Sequence, residues 1–228
     1  MLNTYEVTGR ARTHVIQVEH PRFAVQREVV TAFLELREAA ARDGFELEPF
    51  SSFRDFKTQL RIWNQKYSGD KPLYTKDGVP RDYSELSEEQ IVRSILDWSA
   101  LPGASRHNWG TEIDVIDRAA VGADYEVQLL PEETMPGGVF YDMHLWLDAH
   151  IEDYGFFRPY KRYQGGVYAE PWHLSYAPAA LSAINSLSID LLTEVISEAD
   201  ILGKKVVLEL LPEIYDNYVL NYVMPEAQ

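Results

Sequence analysis

Not one of the 228 residues is a cysteine. No disulfide can hold such a chain together, so its fold must rest on apolar burial, and a chain of this length can bury enough. The same absence removes thiolate metal ligands and thiol nucleophiles. Any transition metal must be held by His, Asp or Glu. With 46% of its residues hydrophobic and 25% charged, the chain is not a disordered or low-complexity protein. Its length predicts one domain, or one domain with an appendage.

Lysine and arginine number 21 against 36 acidic residues, a net charge of −15 with histidine neutral. That excess repels phosphate backbones and anionic membranes at long range, which argues against a nucleic-acid partner. Most of it reads as a solvated surface. No apolar run approaches the roughly 20 residues that span a bilayer, so no membrane insertion is expected. The opening from Met1 to Thr8 lacks the basic and apolar regions of a secretory signal. The expectation is a cytoplasmic protein.

Proline and glycine cut the chain into short pieces. Apolar spacing through Phe23, Val29, Val30, Phe33, Leu34 and Leu36 predicts a helix over 22–43, with Pro21 in its first turn and Gly44 at its end. Phe45 to Phe50 alternates as a strand, and Pro49 pushes it to an edge. A helix follows over 55–67. Ser68 to Leu86 is polar and reads as a long loop of the kind that carries function. Ser87 to Gln90 is a capping box opening a helix through Trp98. Thr111 to Ile116 alternates, with Ile113 and Val115 on one side and Glu112, Asp114 and Ile116 on the other, and reads as a strand. Phe140 to Tyr154 reads as a helix stopped by Gly155. Phe156 to Tyr160, Val167 to Tyr168 and Trp172 to Tyr176 are short strand candidates. Helices over 188–200 and 204–218 suggest a domain over 1–180 and a helical appendage over 181–228 packed on it.

Two short segments concentrate chemistry. One runs from Ser105 through His107 and Gly110 to Asp114; the other from Glu170 to His173. Together they hold two of the chain's six histidines and three carboxylates, of which Asp114 and Glu170 are the candidates. A turn at Gly110 can bring His107 to Asp114. Three N/O ligands with one open position make a catalytic zinc site, and an unligated carboxylate beside it can move protons. On these grounds His107, Asp114 and His173 are candidate ligands and Glu170 a candidate base. Spacing alone does not prove it, and satisfied core histidines or a strand-surface Asp114 would look the same. Asp117 is the nearest rival ligand. His14, His20, His144 and His150 have no matching partners and read as structural.

Ser-x-His-x-x-Gly-x-x-x-Asp followed by Glu-x-Trp-His resembles the zinc D-alanyl-D-alanine carboxypeptidases of the VanY and VanX type. Ser52 to Gln59 is similar to that family's Ser-x-Tyr-Arg-Ser-x-x-x-Gln stretch, and Trp146 to Phe156 to its helix and turn before the last strands. The matches come in the family's order over residues 23–176. The resemblance implies that His107, Asp114 and His173 bind zinc, Glu170 is the catalytic base and Arg54 stabilises the oxyanion. It implies that Ser105 and Gln59 line the substrate cleft. Departures stand at Glu112, where the family has a small residue that here either adds charge near the metal or faces away, at Ser175 for an arginine, and at Phe53 for a tyrosine.

The implied fold is α+β, a small mainly antiparallel sheet packed with helices, as in Hedgehog and D,D-peptidase domains, plus C-terminal helices. The implied activity is zinc-dependent hydrolysis before a C-terminal D-alanine of a peptidoglycan peptide or muropeptide. Alternatives are an L,D-carboxypeptidase or L-alanyl-D-glutamate endopeptidase on the same peptides, a non-catalytic zinc-binding module, and an interaction protein working through its C-terminal helices.

Overall fold

The stretch whose spacing predicts one helix over 22–43 divides at Gln26. In the computed structural model, which describes residues 1–225, a short helix α1 (Thr4–Val7) leads into a hairpin of β1 (Ile16–Glu19) and β2 (Arg22–Val25). Glu19 stands opposite Arg22, so Pro21 sits in the hairpin turn and not in a helix. Phe23 and Val25 are aromatic and β-branched, types that suit a pleated surface, and both are buried. Helix α2 (Arg27–Arg42) then buries Val29, Phe33, Leu36 and Ala40, one stripe of helical period.

β3 (Leu47–Ser51), β4 (Glu112–Asp117), β5 (Phe156–Phe157) and β6 (His173–Tyr176) form an antiparallel sheet in the order β3-β4-β6-β5. Pro49 lies on the edge strand β3, where its missing N–H breaks no ladder on a second side. The residues of β4 alternate in polarity, yet all six are buried. Ile113 and Val115, with Leu174 of β6, enter a core with α2 and with Met143 and Leu147 of α5 (Tyr141–His150). Glu112 and Asp114 face a polar interior instead. Val167 and Tyr168 form no strand; the Tyr168 N–H donates to the Asp97 carbonyl at 2.9 Å. The strand predicted over Phe156 to Tyr160 stops after two residues.

A second core joins α3 (Phe56–Tyr67) and α4 (Glu88–Leu96) to α6 (Ala177–Ile184), α7 (Ile189–Glu198), α8 (Lys204–Glu209) and α9 (Leu211–Ile214). Trp63, Val92, Ile95, Leu192, Ile196 and Val207 meet there. The capping box at Ser87 forms as read. The helix expected over 204–218 breaks after Glu209, because Pro212 lacks the N–H to continue it and instead opens the next first turn. The architecture is α+β, with a small antiparallel sheet packed by helices.

Trp63 ties the two halves of this second core: it is fully buried and its Nε1–H donates to the Leu202 carbonyl at 3.1 Å. Trp63→Ala should lower unfolding stability by about 3–5 kcal/mol in urea titration. Trp63→Phe, which keeps a ring but orphans that carbonyl, should cost about 1–3 kcal/mol.

Candidate active site

The pairing of β4 with β6 places Asp114 directly opposite His173. His107 arrives by a different route, on a single 3-10 turn (Arg106–Trp109) closed by Gly110 in the left-handed region at φ 67°. A Cβ at Gly110 would stand 2.3 Å from a Val15 methyl, so only glycine fits this return to β4. The turn is laced to the loop before α3. The Arg54 N–H donates to the His107 carbonyl at 3.1 Å, and Asn108 donates to the Arg54 carbonyl at 2.6 Å.

His107, Asp114 and His173 each offer one ligand atom, all within 4.8 Å of one another, and all three residues are buried. His107 Nδ1 lies 2.7 Å from the Ser52 carbonyl, a contact only its N–H form can make, which leaves Nε2 as the free lone pair. That Nε2 is 3.3 Å from Asp114 Oδ2. His173 turns its other nitrogen inward: Nδ1 is 3.2 Å from Asp114 Oδ1 and 3.6 Å from Glu170 Oε2. Asp114 Oδ1 is buried with no hydrogen-bond partner. A buried carboxylate that faces one imidazole nitrogen with each oxygen, and has Oδ1 without a hydrogen bond, is a place for a cation, and this N/O donor set suits catalytic zinc.

Electrostatics agree. Burial alone would lift the Asp114 carboxyl, but the two imidazoles hold it well below the usual carboxylate range. Burial works against charge on His173 as well, yet the carboxylates of Asp114 and Glu112 outweigh it and raise that ring to about 10. The pocket therefore favours positive charge at this point, which a cation held by these residues would supply in place of the Nδ1 proton. Glu170 behaves oppositely. Burial raises its carboxyl to about 7 against the pull of His173, which keeps a proton acceptor near neutrality beside the cluster.

Arg54 lies across from these groups, with Nη2 4.0 Å from Asp114 Oδ2. It donates to Gln59 Oε1 at 2.9 Å and to Ser51 Oγ at 3.1 Å. Gln59 does not line the cleft. It is fully buried, and its amide links Arg54 to the Ala100 carbonyl at 2.7 Å. Helical spacing explains this: Gln59 and Trp63, four apart, share the buried face of α3. Ser105 does border the cavity, beside His107. Asp117 is elsewhere, accepting from the Glu46 and Ala119 N–H groups. His14 pairs with the Asn108 carbonyl, His144 with Arg158, and His150 stacks on Trp146.

The cluster opens into a cavity of about 340 Å³. Its walls include residues that sequence reading passed over, notably Lys66, Trp98, Leu129 and Tyr160. Trp98 and Trp172 lie nearly parallel, 6.4 Å between centroids. The long loop from Ser68 to Leu86 contributes Lys71 and Tyr74. Lys66 donates to Ser99 Oγ at 2.6 Å, and burial lowers its ammonium to about 8. Its signal in sequence was position: a lysine seven residues after Gln59 lies on the stripe this helix buries.

Comparison with known proteins places this geometry. Two Haemophilus influenzae proteins described as uncharacterized match in sequence. One is 38% identical over 98 residues, 42% of this chain and 67% of that protein. The other is 32% identical over 122 residues, 53% of this chain and 93% of that protein. A structure described as VanYB in complex with D-alanine-D-alanine superposes with a TM-score of 0.53 at 21% identity, covering 81% of this chain and 89% of that one. A vancomycin-resistance D,D-pentapeptidase VanY mutant in complex with Zn(II) gives 0.52 at 19% identity, covering 85% and 88%. These two share the fold. The family model described as VanY, D-alanyl-D-alanine carboxypeptidase, matches residues 22–179, and the chain belongs to that family.

Proposed function

We propose that this protein is a zinc-dependent carboxypeptidase that removes a C-terminal D-alanine from peptidoglycan peptides. The observation that carries the reading is the convergence of His107, Asp114 and His173 beside Glu170 in an open cavity. Zinc held by those three residues would act as a Lewis acid and ease deprotonation of water. Glu170 accepts the proton of the attacking water and returns it to the leaving amine nitrogen. Arg54, fixed by Gln59 and Ser51, presents its guanidinium to the oxyanion that develops. A non-catalytic zinc module would have no use for a buried carboxyl poised near neutrality at this spot.

Lys66 favours a carboxypeptidase over an endopeptidase. Among the described residues no carboxylate lies within ion-pair distance of its Nζ, while its side chain borders the same cavity as the cluster. A half-buried cation that feels Glu170 only at a distance and has no directly paired carboxylate suits a ligand that brings a carboxylate of its own.

Purified protein should bind one zinc ion and release D-alanine from a peptide ending in D-Ala-D-Ala. Glu170→Ala should keep the zinc and lose turnover by roughly 100-fold or more; zinc content and product release measured together check this. Loss of zinc from that variant would make Glu170 a ligand instead of a base.

Lys66→Met should raise KM for a peptide with a free C-terminal carboxylate by about 10-fold or more, and leave cleavage of the C-terminal amide of the same peptide unchanged. Equal loss on both substrates would remove Lys66 from carboxylate binding.

Arg54→Lys should lower kcat far more than it raises KM, because a point charge does not reproduce the guanidinium fork. A lower melting temperature with unchanged kcat would assign Arg54 a structural role.

A further inference from the structure

Resting on the zinc reading above, we propose that Glu112 is a positioning residue for the metal centre: its carboxylate anchors the far nitrogen of His173 and so aims Nδ1 at the metal. Glu112 lies two residues before Asp114 on β4, hence on the same face, and is fully buried. Its Oε2 is 2.7 Å from His173 Nε2. The imidazole thus stands between two carboxylates, with Nδ1 toward Asp114 and Nε2 toward Glu112. Glu112 meets donors throughout, two hydroxyls at Oε1 and the Arg106 guanidinium near Oε2, so at 2.7 Å it accepts from the ring, which carries its proton on Nε2. That tautomer leaves the Nδ1 lone pair free for a cation.

Glu112 is itself held on every side. Its Oε1 accepts from Ser175 Oγ at 2.7 Å and from Thr111 Oγ1 at 2.8 Å. Arg106 Nε stands 3.5 Å from Oε2, and Arg106 Nη2 donates to Ser175 Oγ at 2.9 Å. The guanidinium is in turn packed over the Trp109 and Tyr222 rings, 4.7 Å from each centroid. Swinging Glu112 away would strand a buried anion and a buried cation, so the His173 ring is fixed by a network and not by one contact. Two of the positions that depart from the family pattern, Glu112 and Ser175, are thereby members of one device. His107 is oriented differently, by a backbone carbonyl, so the two histidines offer different nitrogens to the same point.

Zinc affinity measured by chelator competition, on the wild type and on Glu112→Ala, tests this without reference to turnover. The variant should bind zinc about 10- to 100-fold more weakly. Arg106→Met combined with Glu112→Ala removes the stranded cation and should show the same loss, tying it to His173 and not to an unpaired arginine. Nitrogen-15 NMR of the zinc-loaded wild type should show His173 with Nε2 protonated and Nδ1 metal-bound. A folded Glu112→Ala protein that binds zinc as tightly as wild type overturns the proposal, and so does an Nε2-bound His173. If neither variant folds, the nitrogen assignment in the wild type decides alone. Wild-type protein that takes up no zinc overturns the function reading itself; wild type that binds zinc beside an unaffected variant overturns only the role of Glu112.

Discussion

Asp114 faces His173 because β4 and β6 pair in one register, and that register is set on the opposite side of the sheet. Ile113, Val115 and Leu174 are fully buried against α2 and α5. A one-residue slip of β6 would turn Leu174 into the polar interior and drive His173 into a hydrocarbon core, and the same slip of β4 would do so to Ile113 and Val115 on one side and Asp114 on the other. The apolar face therefore fixes the polar one. The candidate metal cluster inherits its geometry from packing that touches none of its atoms.

Charge is distributed with a sharp contrast between outside and inside. The chain carries −15 overall, yet its cavity is bordered by Arg54, Lys66, Lys71 and Arg106. An anionic peptide is repelled by the whole molecule at a distance, but screening limits that repulsion to about 10 Å at 0.1 M salt. Within the cavity burial weakens screening, and these cations stand beside the carboxylates of Asp114 and Glu170. On the proposed function, selectivity for a carboxylate would be a property of the last few ångströms of approach, not of long-range steering.

The convergence of His107, Asp114 and His173 was legible only in part: short separations encode each half of the cluster, and the resemblance to the family joined the two halves. His107 and Asp114 are joined by one tight turn, and Glu170 and His173 by three residues. The edge position of β3 was legible in Pro49, and the start of α4 in its capping box. Phe23 to Val25 misled because three apolar residues satisfy a helical stripe and a short strand equally well; only the partner β1 decides, and that pairing is non-local. Gln59 was misplaced because a polar residue near a motif reads as a cleft residue, whereas here it supports Arg54 from behind. Alternation alone sets Glu112 on the Asp114 face of β4; what one strand could not reveal is the cross-strand partner, because the approach of His173 and Ser175 depends on the register of β6.

Helix α3 connects the site to the rest of the molecule. Gln59 holds Arg54, Trp63 reaches into the second core, and Lys66 borders the cavity, all along one face. Trp63 bonds to Leu202, and Asn64 bonds to Asp200 and accepts from the Leu202 N–H at 2.9 Å, so the turn between α7 and α8 clamps the helix directly. A rigid α3 sets both the guanidinium and the ammonium relative to the cluster. The C-terminal helices thus bear on where both cations stand, while the sheet register places Asp114 and His173, and the loop before α3 holds the turn that carries His107.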